Sequence, residues 1–167
     1  MRLHLAVSHC PDGGVWLEGL FSIEDGLVAN TCSYQAGHAV VMCDKSFSFL
    51  TANNSPLPGH FAYKTYVVQR ELAMGLEVMR KYPCVAVYDC LEGAIHGALL
   101  DRVDVLWVIG GSDICRSALH HDLAEVWLTE TKRQCACQGE FPIAHFGGLV
   151  AEFVAEYESC KVKRFCL

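Results

Sequence analysis

Val105-Leu106-Trp107-Val108-Ile109-Gly110-Gly111-Ser112-Asp113 is the stretch on which the fold turns. Five apolar residues in a row read as a strand covered on both faces, and such strands belong to parallel sheets. Two glycines and a serine then turn the chain into a helix through Leu119. In an open α/β sheet, ligands sit off the carboxyl ends of strands. Two glycines let backbone approach a ligand, and a helix N-terminus offers free N–H groups to a phosphate. The spacing is not G-x-G-x-x-G, so as a dinucleotide signal it is weak. A tight strand-to-helix turn with no ligand explains these residues at least as well.

The flanking sequence repeats the strand–helix alternation. Arg2 to Ser8 reads as a short strand, and Cys10 to Gly19 as a loop rich in Gly, Pro and Asp. Ser22-Ile23-Glu24-Asp25 reads as a helix start continuing to Cys32, with Ser22 capping and the acids suiting the dipole. Ala39-Val40-Val41-Met42 is a buried strand, Lys45 to Leu50 opens a helix, and Asn53 to Gly59 is a loop. Tyr66-Val67-Val68 is the next strand. Leu72, Leu76 and Met79 recur at helical spacing and predict an amphipathic helix over 71–81. Cys84 to Tyr88 is a strand, and Asp89 caps a helix to Leu100. The strand of the opening stretch starts at Val103, another covers Glu125 to Thr131, and a last one Arg164 to Leu167. The order predicts an α/β fold: a mixed, mostly parallel central sheet flanked by helices, in one domain over 1–167. Trp107 and Trp127 read as core, His96 as a surface residue, and Lys161 to Arg164 as a basic strand edge that discourages edge pairing.

Composition sets the limits. The 167 residues are 52% hydrophobic and 19% charged, so the chain can bury a core and is not disordered. A net charge of -6 gives no basic footprint for nucleic acid. No apolar run is long enough to span a membrane, and the start is too short and polar for a signal peptide. The expectation is a protein of a reducing intracellular compartment, the cytoplasm first, with an organelle left open. The 10 cysteines include no C-x-x-C pair; the closest spacing is Cys135-x-Cys137, with no second pair to complete a metal site. They read mostly as buried thiols packing as small hydrophobes, with Cys160 and Cys166 exposed.

Several segments, taken in order, resemble the dihydrofolate reductase family. Val40-Val41-Met42-Cys43-Asp44-Lys45-Ser46-Phe47 resembles its "V-V-M-G-R-K-T-W/F" segment, and Pro56-Leu57-Pro58-Gly59 its "P-L-P-G-R" turn. Tyr66-Val67-Val68-Gln69-Arg70-Glu71-Leu72 resembles "I-V-L-S-R-E-L". Trp107-Val108-Ile109-Gly110-Gly111-Ser112 matches "W-V-I-G-G-S", and Val126-Trp127-Leu128-Thr129 is similar to "L-Y-L-T". Gln138-Gly139-Glu140-Phe141-Pro142 is similar to "D-T-F-F-P". Ala6-Val7-Ser8 with Gly14-Val15 resembles the first strand and mobile loop. The likeness spans nearly the whole chain in family order.

The resemblance implies reduction of dihydrofolate by hydride from NADPH. It implies one carboxylate at the start of the first helix, which holds the pterin's ring nitrogen and amino group in a dry pocket. Asp25 is the first choice for that acid and Glu24 the second; both also suit a plain helix N-terminus. Thr129 resembles the threonine that hydrogen-bonds this acid. On the cofactor side the resemblance assigns Lys45 and Ser46 to phosphate, and Gln69 and Arg70 to the adenosine 2′-phosphate. It assigns Gly110, Gly111, Ser112 and Asp113 to the pyrophosphate and nicotinamide turn, and Ala6 to the nicotinamide side. Val28, His60 and Ile109 fall on the substrate side. His60 replaces the Arg that grips the folate glutamate, and a His is a poor bidentate substitute. The Leu-Pro-Trp before the acid reads Gly19-Leu20-Phe21, and the Gly after Met42 is Cys43. These departures gather on the folate side. They keep two alternatives open: a catalytically inactive member of the fold serving as a subunit of a larger assembly, and a reductase of another pterin or pyrimidine-like substrate.

Overall fold

The structure is a computed structural model, and it describes residues 1–11, 14, 36–52, 64–132, 139–158 and 160–167. The predicted helix from Ser22 to Cys32 and the predicted loop from Asn53 to Gly59 lie outside the described residues.

The strands are β1 (Arg2–His9), β2 (His38–Cys43), β3 (Lys64–Val68), β4 (Val85–Tyr88), β5 (Val105–Ile109), β6 (Leu123–Thr131), β7 (Glu152–Glu156) and β8 (Cys160–Cys166). Among the described residues they form one sheet in the order β4-β3-β2-β5-β1-β6-β8-β7. The strands from β4 across to β6 are parallel; β8 and β7 continue the sheet antiparallel. The helices are α1 (Asp44–Ala52), α2 (Leu72–Lys81), α3 (Leu91–Leu100) and α4 (Ser112–Ala118). The mixed, mostly parallel sheet of the sequence reading is therefore present.

Side-chain alternation divides the core in two. Leu5, Val7, Val41, Leu106 and Val108 point to one face, where α3 and α4 cover them through Leu91, Ala94, Ala98 and Ile114. Ala6, Val40, Met42, Val67 and Trp107 point to the other, under Phe47 and Leu50 of α1. Burying each large side chain removes it from water at about 1.5–3 kcal/mol, which explains why the strands read as unbroken apolar runs. The face change is forced by handedness. The crossovers from β2 through β3 to β4 travel outward along the sheet, and the one from β4 to β5 returns. Right-handed connections place outward and return helices on opposite faces.

Several expectations are corrected. β7 was not predicted. It is an edge strand with mostly exposed residues, including Phe153, so it lacks the alternation that marks a half-buried strand. The basic run Lys161 to Arg164 is interior to the sheet, because β8 pairs on both sides. Its charges meet acids: Lys163 bonds Glu130, and Arg164 bonds Glu152. β8 starts at Cys160, earlier than predicted, and Cys160 is buried while Cys166 is exposed. The thiol reading is also too simple, since Cys84 is exposed and Cys10 is disulfide-bonded. The cap of α3 is Cys90, whose sulfur accepts from the Gly93 N–H at 3.4 Å, and not Asp89. Trp107 is core as expected, but Trp127 is only half-buried. On α2 the apolar stripe faces outward: Leu72, Leu76 and Met79 are exposed. The helix instead rests on the sheet through Gly75, where an added Cβ would stand 3.1 Å from Val87 Cγ1.

A polar group is buried in the second face. His4 is 5% exposed, packs edge-on to Trp107 at 4.8 Å, and its ring nitrogens have no hydrogen-bond partner. Burial lowers its pKa, against the opposing pull of Glu125. Burial and Arg2 lower that of His38 too. Below the ordinary value of 6.5 the unfolded chain therefore binds more protons at these sites than the folded chain. Stability must fall as the pH drops through that region. Denaturant titrations from pH 7.5 to 5 are expected to show this fall, and a His4→Leu variant a shallower one. Equal slopes in the two proteins would assign the effect elsewhere.

Candidate functional site

The carboxyl ends of β2, β3, β4 and β5 open on one side of the sheet, and a cavity of about 1000 Å³ lies there. That is the upper end of the size of small-molecule sites. Its position follows from the topology. β2 and β5 are neighbours, yet α1 leaves β2 toward one face and α4 leaves β5 toward the other. The chain diverges there and leaves a crevice, the usual ligand position in open α/β sheets.

The β5 wall is the Gly-Gly turn. Gly110 has φ +138, which glycine adopts readily and other residues rarely. A Cβ there would stand 2.7 Å from Ser46 Oγ and 3.6 Å from Cys43 Sγ, so the β5 and β2 turns touch across this residue. Cys115 Sγ donates to the Gly110 carbonyl at 3.4 Å from beneath, and full burial raises the pKa of that thiol. Gly111 lines the cleft, and a Cβ there would meet nothing within 4 Å. Ser112 starts α4 and is buried, while Asp113 is exposed and its carboxylate accepts from Arg116 at 2.9 Å. Asp113 thus contributes a backbone position, with its charge already matched.

The β2 wall is Cys43 to Ser46. Ser46 is buried, with its Oγ 3.1 Å from Cys43 Sγ. Lys45 is exposed and forms no ion pair among the described residues. The β3 wall is Gln69 and Arg70. Gln69 is buried and its amide is committed: Nε2 donates to Asp44 Oδ2 at 3.2 Å, and Oε1 accepts from the Glu71 N–H at 3.0 Å. Arg70 is exposed and, like Lys45, forms no ion pair among the described residues.

Of the residues assigned from sequence, Lys45, Ser46, Gln69, Arg70, Gly111, Ser112 and Asp113 line this single cleft. Gly110 is buried next to Ser46 and Cys43 of that cleft and does not itself line it. Ala6 and Ile109 are buried behind it in the second core layer. Thr129 is buried on β6, in register with Ser8 of β1 and on the same face as Ala6. The buried Ser8 Oγ beside it has no hydrogen-bond partner. Asp25, Glu24, Val28 and His60 lie outside the described residues.

Sequence reading missed the β4 wall. Asp89, Cys90 and Glu92 line the cleft, and so does His120 beyond α4. The Glu92 carboxyl lies below the usual range, held there first by its own backbone N–H and also by His121. The rule that drew attention to Gly110, residues just past the carboxyl end of a parallel strand, applies equally to Asp89.

No family model and no curated protein matches the chain. Solved structures do. Dihydrofolate reductase of Schistosoma mansoni superposes with a TM-score of 0.76 at 19% identity, covering 99% of this chain and 98% of its own. The fold is that of dihydrofolate reductase. At that identity the likeness concerns the course of the backbone. Among the described residues no helix is long and apolar enough to cross a membrane, and no cluster of three metal-ligating side chains occurs.

Proposed function

We propose that this chain reduces dihydrofolate with NADPH. One observation carries the reading: seven positions assigned to the cofactor by local sequence likeness, scattered from residue 45 to 113, line one cleft at the switch point of the sheet. The cleft suits an anionic dinucleotide on its own terms. It offers two cations with no ion pair among the described residues, Lys45 and Arg70. It also offers open room beside Gly111, where backbone can approach a pyrophosphate.

In this reading Lys45 and Arg70 neutralise phosphate charge, and Arg70 does so with a planar fork suited to phosphate oxygens. Ser46 and Ser112 line the crevice from the first turns of α1 and α4. Gln69 is a positioning residue, since its amide holds Asp44 rather than facing the ligand. When bound, NADPH supplies the hydride. Asp25, with Glu24 as second choice, holds the pterin through its ring nitrogen and amino group. Thr129 supports that carboxylate through its hydroxyl. A carboxylate in a water-poor pocket interacts far more strongly than one in bulk water.

The test is a fluorescence titration of the purified chain with NADPH, followed by addition of dihydrofolate. Binding and then oxidation of NADPH are expected. Absence of NADPH binding at millimolar concentration would overturn the reading. A second reading, a non-catalytic member of this fold held in an assembly, is supported by the outward apolar stripe of α2. It predicts a chain that is inactive alone and migrates in a larger native complex.

A further inference from the structure

The far end of the cleft carries mixed charge. β3 and β4 are adjacent, with Val68 in register with Tyr88, and the Gln69 N–H donates to the Tyr88 carbonyl at 2.8 Å. Register sets Asp89 beside Gln69, and Arg70 follows one residue further on at the same end of the sheet. Arg70 and Asp89 both line the cleft, both are exposed, and neither forms an ion pair among the described residues. Glu92, one turn into α3, adds a second carboxylate to the same wall.

The geometry assigns this end to a nucleoside. The cleft runs from the Gly110–Ser112 turn across β2 to β3 and β4. A dinucleotide with its pyrophosphate at that turn has one nucleoside over β3 and β4. The other reaches Ala6, Ile109 and Thr129. On the proposed function the reacting nucleoside is the latter, so the adenosine ribose faces Arg70 and Asp89.

NADPH and NADH differ only there, in a 2′-phosphate against a 2′-hydroxyl. An arginine fork favours the phosphate. A carboxylate accepts hydrogen bonds from ribose hydroxyls and repels a phosphate. A wall built for phosphate alone would hold cations without acids. We infer that this chain takes both NADPH and NADH, with Arg70 favouring the first and Asp89 the second. The inference rests on the proposed function and adds the cofactor discrimination to it.

The experiment is a direct binding titration of the purified chain with each dinucleotide, by calorimetry, with no substrate present. The parent is expected to bind the two within about tenfold of each other, since exposed charges acting in opposite senses shift affinity by at most about that factor. Asp89→Asn should move the ratio toward NADPH and Arg70→Gln toward NADH, each by about five- to tenfold. Both positions are exposed, so the variants should fold as the parent does. A parent that prefers NADPH by more than about a hundredfold, with a ratio unmoved by Asp89→Asn, would overturn the inference and leave the proposed function standing. Binding of neither dinucleotide would overturn both.

Discussion

A Gly110→Ala variant is expected to lose about 2–4 kcal/mol of stability and to bind NADPH at least about tenfold more weakly. Two effects act together. At φ +138 a side chain strains the backbone, which costs about 1–3 kcal/mol. The new methyl also meets Ser46 Oγ at 2.7 Å and Ile114 Cγ2 at 3.2 Å, and overpacking of that kind costs about 1–3 kcal/mol. Relief requires the β2 and β5 turns to move apart, and these turns form two of the walls of the crevice. Gly111→Ala is the control. Gly111 has an ordinary φ of -73, and its Cβ would meet nothing within 4 Å. Its stability should stay within about 0.5 kcal/mol of the parent. Denaturant unfolding and dinucleotide titration read both quantities. Parent-like stability and affinity in Gly110→Ala would mean that the contact between the two turns does not shape the cleft.

The second large effect is on turnover. Asp25→Asn is expected to lower kcat for dihydrofolate about 10²–10⁴-fold, in the range lost with a positioned acid–base group. NADPH affinity should hardly move, because Asp25 is assigned to the pterin and not to the nucleotide. An amide keeps the size of the carboxylate and removes its charge, so the loss reports the charge. Glu24→Gln should have the smaller effect. Steady-state oxidation of NADPH measures both, and full activity in both variants would remove the carboxylate assignment.

The β2, β3 and β5 walls of this cleft were legible in the sequence because they are made of short segments with fixed backbone meaning. Gly110-Gly111-Ser112 after an apolar strand specifies a turn at a strand end, and Lys45-Ser46 and Gln69-Arg70 follow two more such strands. The walls found only in the structure depend on longer-range packing. Asp89 read as a helix cap, and only the pairing of β3 with β4 brings it to the cleft wall that also holds Gln69 and Arg70. The stripe Leu72, Leu76 and Met79 has helical period, but period does not say which face meets the sheet. Gly75 and its contact with Val87 decide that. β7 carried no signal because its contacts are ion pairs with β8, such as Glu152 with Arg164, rather than an alternating apolar face.

The place of β1 bears on synthesis. It lies at the heart of the sheet, with Leu5 beside Val108 on one flank and Val126 on the other. Those partners leave the ribosome long after it does. Until they arrive, an apolar segment has both hydrogen-bonding edges open, a state that invites pairing with other chains. Sheet closure must also bring together residues far apart in sequence, which slows folding. Yield in a cell should therefore depend on chaperone supply and growth temperature more than the stability of the finished fold suggests.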